Sequence, residues 1–210
     1  SILRMGVPCS PRNIFPSNIQ GMPTWYELRI SKDGWQGRRG GADLMVALNA
    51  QTWDKDIAEI TPGGFLFYDS TKPMPASKFR DDIHIIGIPL TRICAEQFSD
   101  AGKRHLFKNI MYVGALAALL DIEFGVVEQL IAEQYRGKDK LIEGNRDAAR
   151  IGYEHAKAHF ACPLPIRIER SNAVGDRIFI DGNSAIGLGA IYGGATVAAW
   201  YPITPSTSVV

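Results

Sequence analysis

The sequence predicts an α/β fold with three layers around a mainly parallel or mixed sheet, followed by the opening of a second α/β unit. Three observations carry this. Continuously apolar runs at 43–48, 65–68 and 83–88 read as strands buried on both faces. Segments of helical period lie between and after them, and that alternation is the mark of a layered α/β fold. Glycine, proline and asparagine punctuate the boundaries.

Residues 1–26 hold Pro8, Pro11, Pro16, Gly21 and Pro23 and read as an irregular, extended segment. Residues 27–31 alternate like a strand, and 31–41 read as a loop. After strand 43–48, Asn49 is placed to cap a helix on which Trp53, Ile57 and Ile60 recur at helical spacing. Thr61, Pro62, Gly63 and Gly64 are expected to stop that helix before strand 65–68. A helix is expected at 91–98.

From 106 to 160 the pattern is helical. Val126, Val127, Leu130, Ile131 and Tyr135 make one apolar stripe. Asn145, Ala148, Ala149, Gly152 and Ala156 make a second stripe of small residues suited to close helix packing. Gly137 and Lys138 separate the two. Cys162, Pro163, Leu164 and Pro165 end the block, and 166–176 read as a linker. The second unit is expected as strand 178–180, a glycine- and alanine-rich helix through Ile191, and strand 196–200. With one such unit only begun, the chain reads as a piece of a longer polypeptide.

Of 210 residues, 46% are hydrophobic and 21% charged, an ordinary globular balance. A net charge of +1 supplies no field to draw in nucleic acid or an anionic membrane. Cys9, Cys94 and Cys162 are too few and too far apart for a disulfide framework, which suits a reducing compartment. No CxxC pair is present, so this stretch does not hold an iron–sulfur cluster by the usual thiolate pattern. The most apolar stretch, 110–120, is shorter than the ~20 residues of a membrane span. A cytoplasmic protein without membrane contact is expected.

Two segments are more specific than composition. Lys108, Asn109 and Met111 lead into Gly114-Ala115-Leu116-Ala117, followed by Asn145, Gly152 and Tyr153. Upstream stand 17–21 (SNIQG), 27–31 (ELRIS), 43–49 (DLMVALN) and 62–70, which ends in Asp69-Ser70. Downstream, Gly182-Asn183-Ser184-Ala185 leads to Leu188-Gly189-Ala190 and then to Tyr201-Pro202-Ile203-Thr204-Pro205-Ser206. The first set resembles the gamma domain of 2-oxoacid:ferredoxin oxidoreductases. The second resembles the opening of the alpha domain of the same family, which binds thiamine diphosphate. Gln20 and Met22 depart from the family's arginine and glycine, and Ser184 from its glutamate. The family's glycine-rich opening loop would precede Ser1.

The resemblance implies a gamma domain at 1–161, a linker at 162–176 and the start of an alpha domain, of the pyrimidine-binding type, at 177–210. It implies a fused subunit, of the 2-oxoglutarate type by the wording of 18–29 and 37–45. The activity implied is oxidative decarboxylation of a 2-oxoacid to acyl-CoA and CO2, with electrons passed to ferredoxin. Pyruvate or a branched-chain 2-oxoacid is the alternative substrate, and a non-catalytic structural subunit the alternative role. Thiamine diphosphate, Mg2+, 4Fe-4S clusters and coenzyme A belong to the complete enzyme, and none is expected on this stretch alone. A beta subunit and ferredoxin are the implied partners in a hetero-oligomer.

In that family the first threonine of the loop helps hold the substrate, which here is Thr204, with Tyr201, Pro202 and Ile203 beside it. Proline on both sides fixes the loop, so a hydroxyl can meet a carboxylate with little ordering cost. Arg38 and Arg39, in Gly37-Arg38-Arg39-Gly40-Gly41, are candidates for a phosphate of coenzyme A, against the plainer reading of a solvated turn. His155 and His159 have the i, i+4 spacing of metal ligands but no evident third ligand, and read as a polar face near a helix end. Asn109 in its apolar run is expected to be a buried hydrogen-bonder. Gly187 and Gly189 read as close-packing residues. No phosphate-loop, nucleophile-elbow or H-E-x-x-H motif is present, so direct nucleotide, acyl-hydrolase and zinc-protease readings find no support.

Overall fold

The structure, a computed structural model, describes residues 1–15, 22–201 and 206–209. Two compact units divide between Ala173 and Val174.

The first unit opens with a 3-10 turn at Ile2–Met5. Strand β1 (Cys9–Ile14) pairs antiparallel with β2 (Trp25–Ile30), running from Cys9↔Ile30 to Ile14↔Trp25. Part of the irregular segment expected before residue 27 is thus strand, at 9–14 and 25–26. Pro11 hides it from a reading of turn residues, but a proline without an N–H is tolerated in a two-stranded ribbon, where each strand is an edge.

Strands β3 (Ala42–Ala47), β4 (Ile60–Asp69) and β5 (His84–Ile88) form one parallel sheet in the order β3-β4-β5. Asn49 caps the 3-10 turn after β3, its side chain accepting from the N–H of Gln51 at 2.9 Å. Helix α1 (Trp53–Ala58) follows. The Thr61-Pro62-Gly63-Gly64 run does not stop this helix. It lies inside β4, at a register shift opposite Ala42 and Leu44. Gly63 has φ +77°, and a Cβ on Gly64 would come within 2.8 Å of the Thr61 carbonyl oxygen. The glycines serve a bulge.

The expected helices at 91–98 and 106–160 appear as α2 (Leu90–Gln97), α3 (Arg104–Leu119), α4 (Phe124–Gln134) and α5 (Asp139–His159). Gly137, at φ +80°, turns the chain between the last two. The side chains of β4 alternate. Phe65 and Phe67 pack with Met111, Tyr112 and Ala115 of α3, and the Phe67 and Tyr112 rings lie 5.0 Å apart. Leu66 joins Trp53 and Ile57 in a separate cluster. Helix α1, the sheet, and α3 with α5 are the three layers.

The small-residue stripe of α5 is buried at every position: Asn145, Ala148, Ala149, Gly152 and Ala156. A Cβ on Gly114 would sit 1.8 Å from the Ala149 carbonyl oxygen. The helices cross at backbone contact, which only glycine permits. Residues 164–171 stay on this unit. The N–H groups of Leu164 and Ile168 donate to the carbonyls of Leu119 and Leu120, and Ser171 N–H to Met5 O.

In the second unit, Asp181 caps α6 (Gly182–Tyr192), accepting from the Ser184 N–H at 3.0 Å and from its hydroxyl at 2.7 Å. The helix is where the sequence puts it. The strands expected at 178–180 and 196–200 are not formed among the described residues. An isolated extended run has no ladder partner for its backbone groups. No described residue of this unit is buried.

Candidate functional site

In a parallel sheet, ligands usually sit beyond the carboxyl ends of the strands. At that end of β4 the last residue is Asp69. Its carboxylate accepts from the Thr71 N–H at 3.1 Å and hydroxyl at 2.6 Å, from the Thr91 N–H at 3.2 Å, and from the Thr91 hydroxyl. The Lys108 ammonium stands 3.7 Å away and donates to the Thr91 hydroxyl at 3.2 Å. The Thr71 hydroxyl also accepts from the Arg92 N–H.

Each position follows from its element. Asp69 ends a buried strand, Thr91 lies in the first turn of α2 where backbone N–H groups have no helical partner, and Lys108 is one turn into α3. The dipole of α2 adds to the attraction. Burial alone would raise the Asp69 carboxyl. The hydrogen bonds from Thr71 and Thr91 outweigh it and hold the group below the usual carboxylate range. Tyr112, buried beneath, is pushed up by burial first and by the Asp69 charge second, so its phenol stays protonated.

Such a carboxylate is a poor general base, because a lowered pKa and a full set of donors leave it little proton affinity. It clamps the end of β4 to the start of α2 and the side of α3. The sequence showed Asp69 and Lys108 only as parts of resembling segments. The missed signal is a lone carboxylate closing an apolar strand, with threonines two residues on and at the next helix start.

Arg38 and Arg39, the sequence-based candidates in the same unit, are not among the described partners of Asp69. Pro202, Ile203 and Thr204 lie outside the described residues, and Tyr201 is exposed. Arg38 pairs with Glu27, and Arg39 with Asp43 at 2.7 Å. Asn109 is exposed, against expectation. Helix phase turns it away from Met111 and Tyr112, which face the core, and the buried asparagine is Asn145, whose Nδ2 donates to Leu141 O at 2.7 Å. His155 and His159 stack with ring centroids 4.1 Å apart. Among the described residues no group of three His, Cys, Asp or Glu gathers as a metal-ligand set. Burial raises all three cysteine thiols, so none is a ready thiolate.

No helix among the described residues is long and apolar enough to cross a membrane. The family model described as pyruvate ferredoxin/flavodoxin oxidoreductase matches residues 1–155. Subunit alpha of 2-oxoacid:ferredoxin oxidoreductase 2 from Aeropyrum pernix is 24% identical over 99% of the chain, which spans 38% of that relative's length. The 2-oxoglutarate synthase subunit KorC of Methanocaldococcus jannaschii is 31% identical over 55% of the chain and 59% of its own length. The solved 2-oxoglutarate:ferredoxin oxidoreductase of Magnetococcus marinus, with 2-oxoglutarate, coenzyme A and succinyl-CoA bound, aligns with TM-score 0.83. It is 27% identical, and the alignment covers 98% of this chain and 35% of that one. The gamma subunit of a keto/oxoacid ferredoxin oxidoreductase from Geobacter sulfurreducens shares the fold at TM-score 0.55 and 23% identity, over 74% of this chain and 84% of its own.

Proposed function

The chain belongs to the pyruvate ferredoxin/flavodoxin oxidoreductase family, and from that premise we propose that it is part of a 2-oxoacid:ferredoxin oxidoreductase subunit. In this reading 1–161 are the gamma domain, 162–176 the linker and 177–210 the start of the alpha domain in a fused polypeptide. The observation that carries it is a structural match running through both compact units. The complete cytoplasmic enzyme, a hetero-oligomer with a beta subunit, would convert a 2-oxoacid and coenzyme A to acyl-CoA and CO2 and reduce ferredoxin. The 2-oxoglutarate relatives support 2-oxoglutarate as substrate, and a ketoisovalerate relative keeps branched-chain 2-oxoacids as the alternative.

In this reading thiamine diphosphate, Mg2+ and the iron–sulfur clusters belong to the complete enzyme; among the described residues no metal-ligand set gathers, and the cysteines are separate. What this chain would contribute is substrate positioning by Thr204, with Tyr201, Pro202 and Ile203 shaping the loop. Arg38 and Arg39 would take a phosphate of coenzyme A only by exchanging their partners Glu27 and Asp43.

A second reading, a structural subunit, is favoured by one observation: the polar centre around Asp69 is fully satisfied and offers no free base. The test is ferredoxin reduction by 2-oxoglutarate, pyruvate and branched-chain 2-oxoacids, with coenzyme A, using the complete polypeptide and its beta subunit. Our reading requires that omitting this polypeptide abolishes turnover and that the 210-residue chain alone is inactive. Full turnover by the partner alone would replace it with the structural reading.

A further inference from the structure

We draw no further inference here: the strongest candidate, the outward apolar face of the β1–β2 hairpin carrying Tyr26 and Leu28, has nothing in the structure to show what covers it.

Discussion

Gly152 of α5 lies so close to Met111 of α3 that a Cβ there would sit 2.1 Å from the Met111 carbonyl oxygen. Gly114 makes the reciprocal approach to Ala149. Both glycines belong to the segments that carry the family resemblance. In this chain both glycines serve a helix crossing at backbone distance.

Gly152→Ala should destabilise the first unit by about 1–3 kcal/mol, the usual cost of overpacking. At ~2–4 °C per kcal/mol for a domain of this size, Tm falls by roughly 2–12 °C. Gly125→Ala is the contrast. It is exposed in α4 with open space at its Cβ position, so it should raise stability by about 0.4–1 kcal/mol. Equal Tm values for the two variants in thermal denaturation would remove the close-crossing argument.

Asp69→Asn should cost about 1.5–3 kcal/mol at neutral pH, through loss of charge-assisted hydrogen bonds. The folded pKa is lowered, so the unfolded chain takes up the proton first. The stabilisation is whole above the unfolded value of about 3.9 and is lost as pH falls toward the folded one. Urea denaturation at pH 7 and pH 3 should therefore show a large gap between wild type and variant that closes in acid. A gap independent of pH would show that the charge is not what matters.

His155 should titrate below the ordinary histidine value, because burial first, then His159 and Arg92, disfavour its cation. The unfolded chain then binds the proton more readily, so stability drops as pH falls from about 6.5 toward the folded pKa. His159→Gln should move the His155 titration upward in an NMR experiment. No movement would mean that the stacked ring does not act on it.

Trp25 Nε1–H donates to the Asp56 carboxylate at 2.7 Å, and the Thr52 hydroxyl donates to its other oxygen at 2.7 Å. Asp56 is only 3% exposed, so this bond ties the hairpin to α1. Trp25→Phe leaves a buried acceptor short of a donor and should cost about 1–3 kcal/mol. Hydrogen exchange should speed up in β2 before the β3–β5 sheet. Uniform protection in both would refute the tie.

In the complete enzyme, Thr204→Val should lower kcat/KM by roughly ten- to a hundred-fold, the equivalent of one hydrogen bond to a charged carboxylate. Thiamine diphosphate affinity should hold, since the change spares the diphosphate. Wild-type kcat/KM in the variant would leave only the backbone N–H as a contact.

The sequence by itself determined the parts governed by local periodicity. The three apolar strands, the helices after them and the α5 stripe are legible because burial imposes a period of two or 3.6 on side chains. The capping role of Asn49, here on a 3-10 turn, and the helix reaching Ile191 are legible because they too depend on neighbours in sequence. Tertiary structure alone decided what depends on partners distant in sequence. Residues 9–14, polar in the main, become a strand because Trp25–Ile30 supplies the ladder, whereas the more apolar 178–180 and 196–200 form no ladder among the described residues. The Thr61–Gly64 run is carried inside a bulged strand because its flanking residues Ile60 and Phe65 pair with Ala42 and Leu44, leaving the run itself at the register shift. Asp69 meets Thr91 and Lys108 across 22 and 39 positions, and nothing local announces it, because a carboxylate finds its donors only after the sheet and helices have packed.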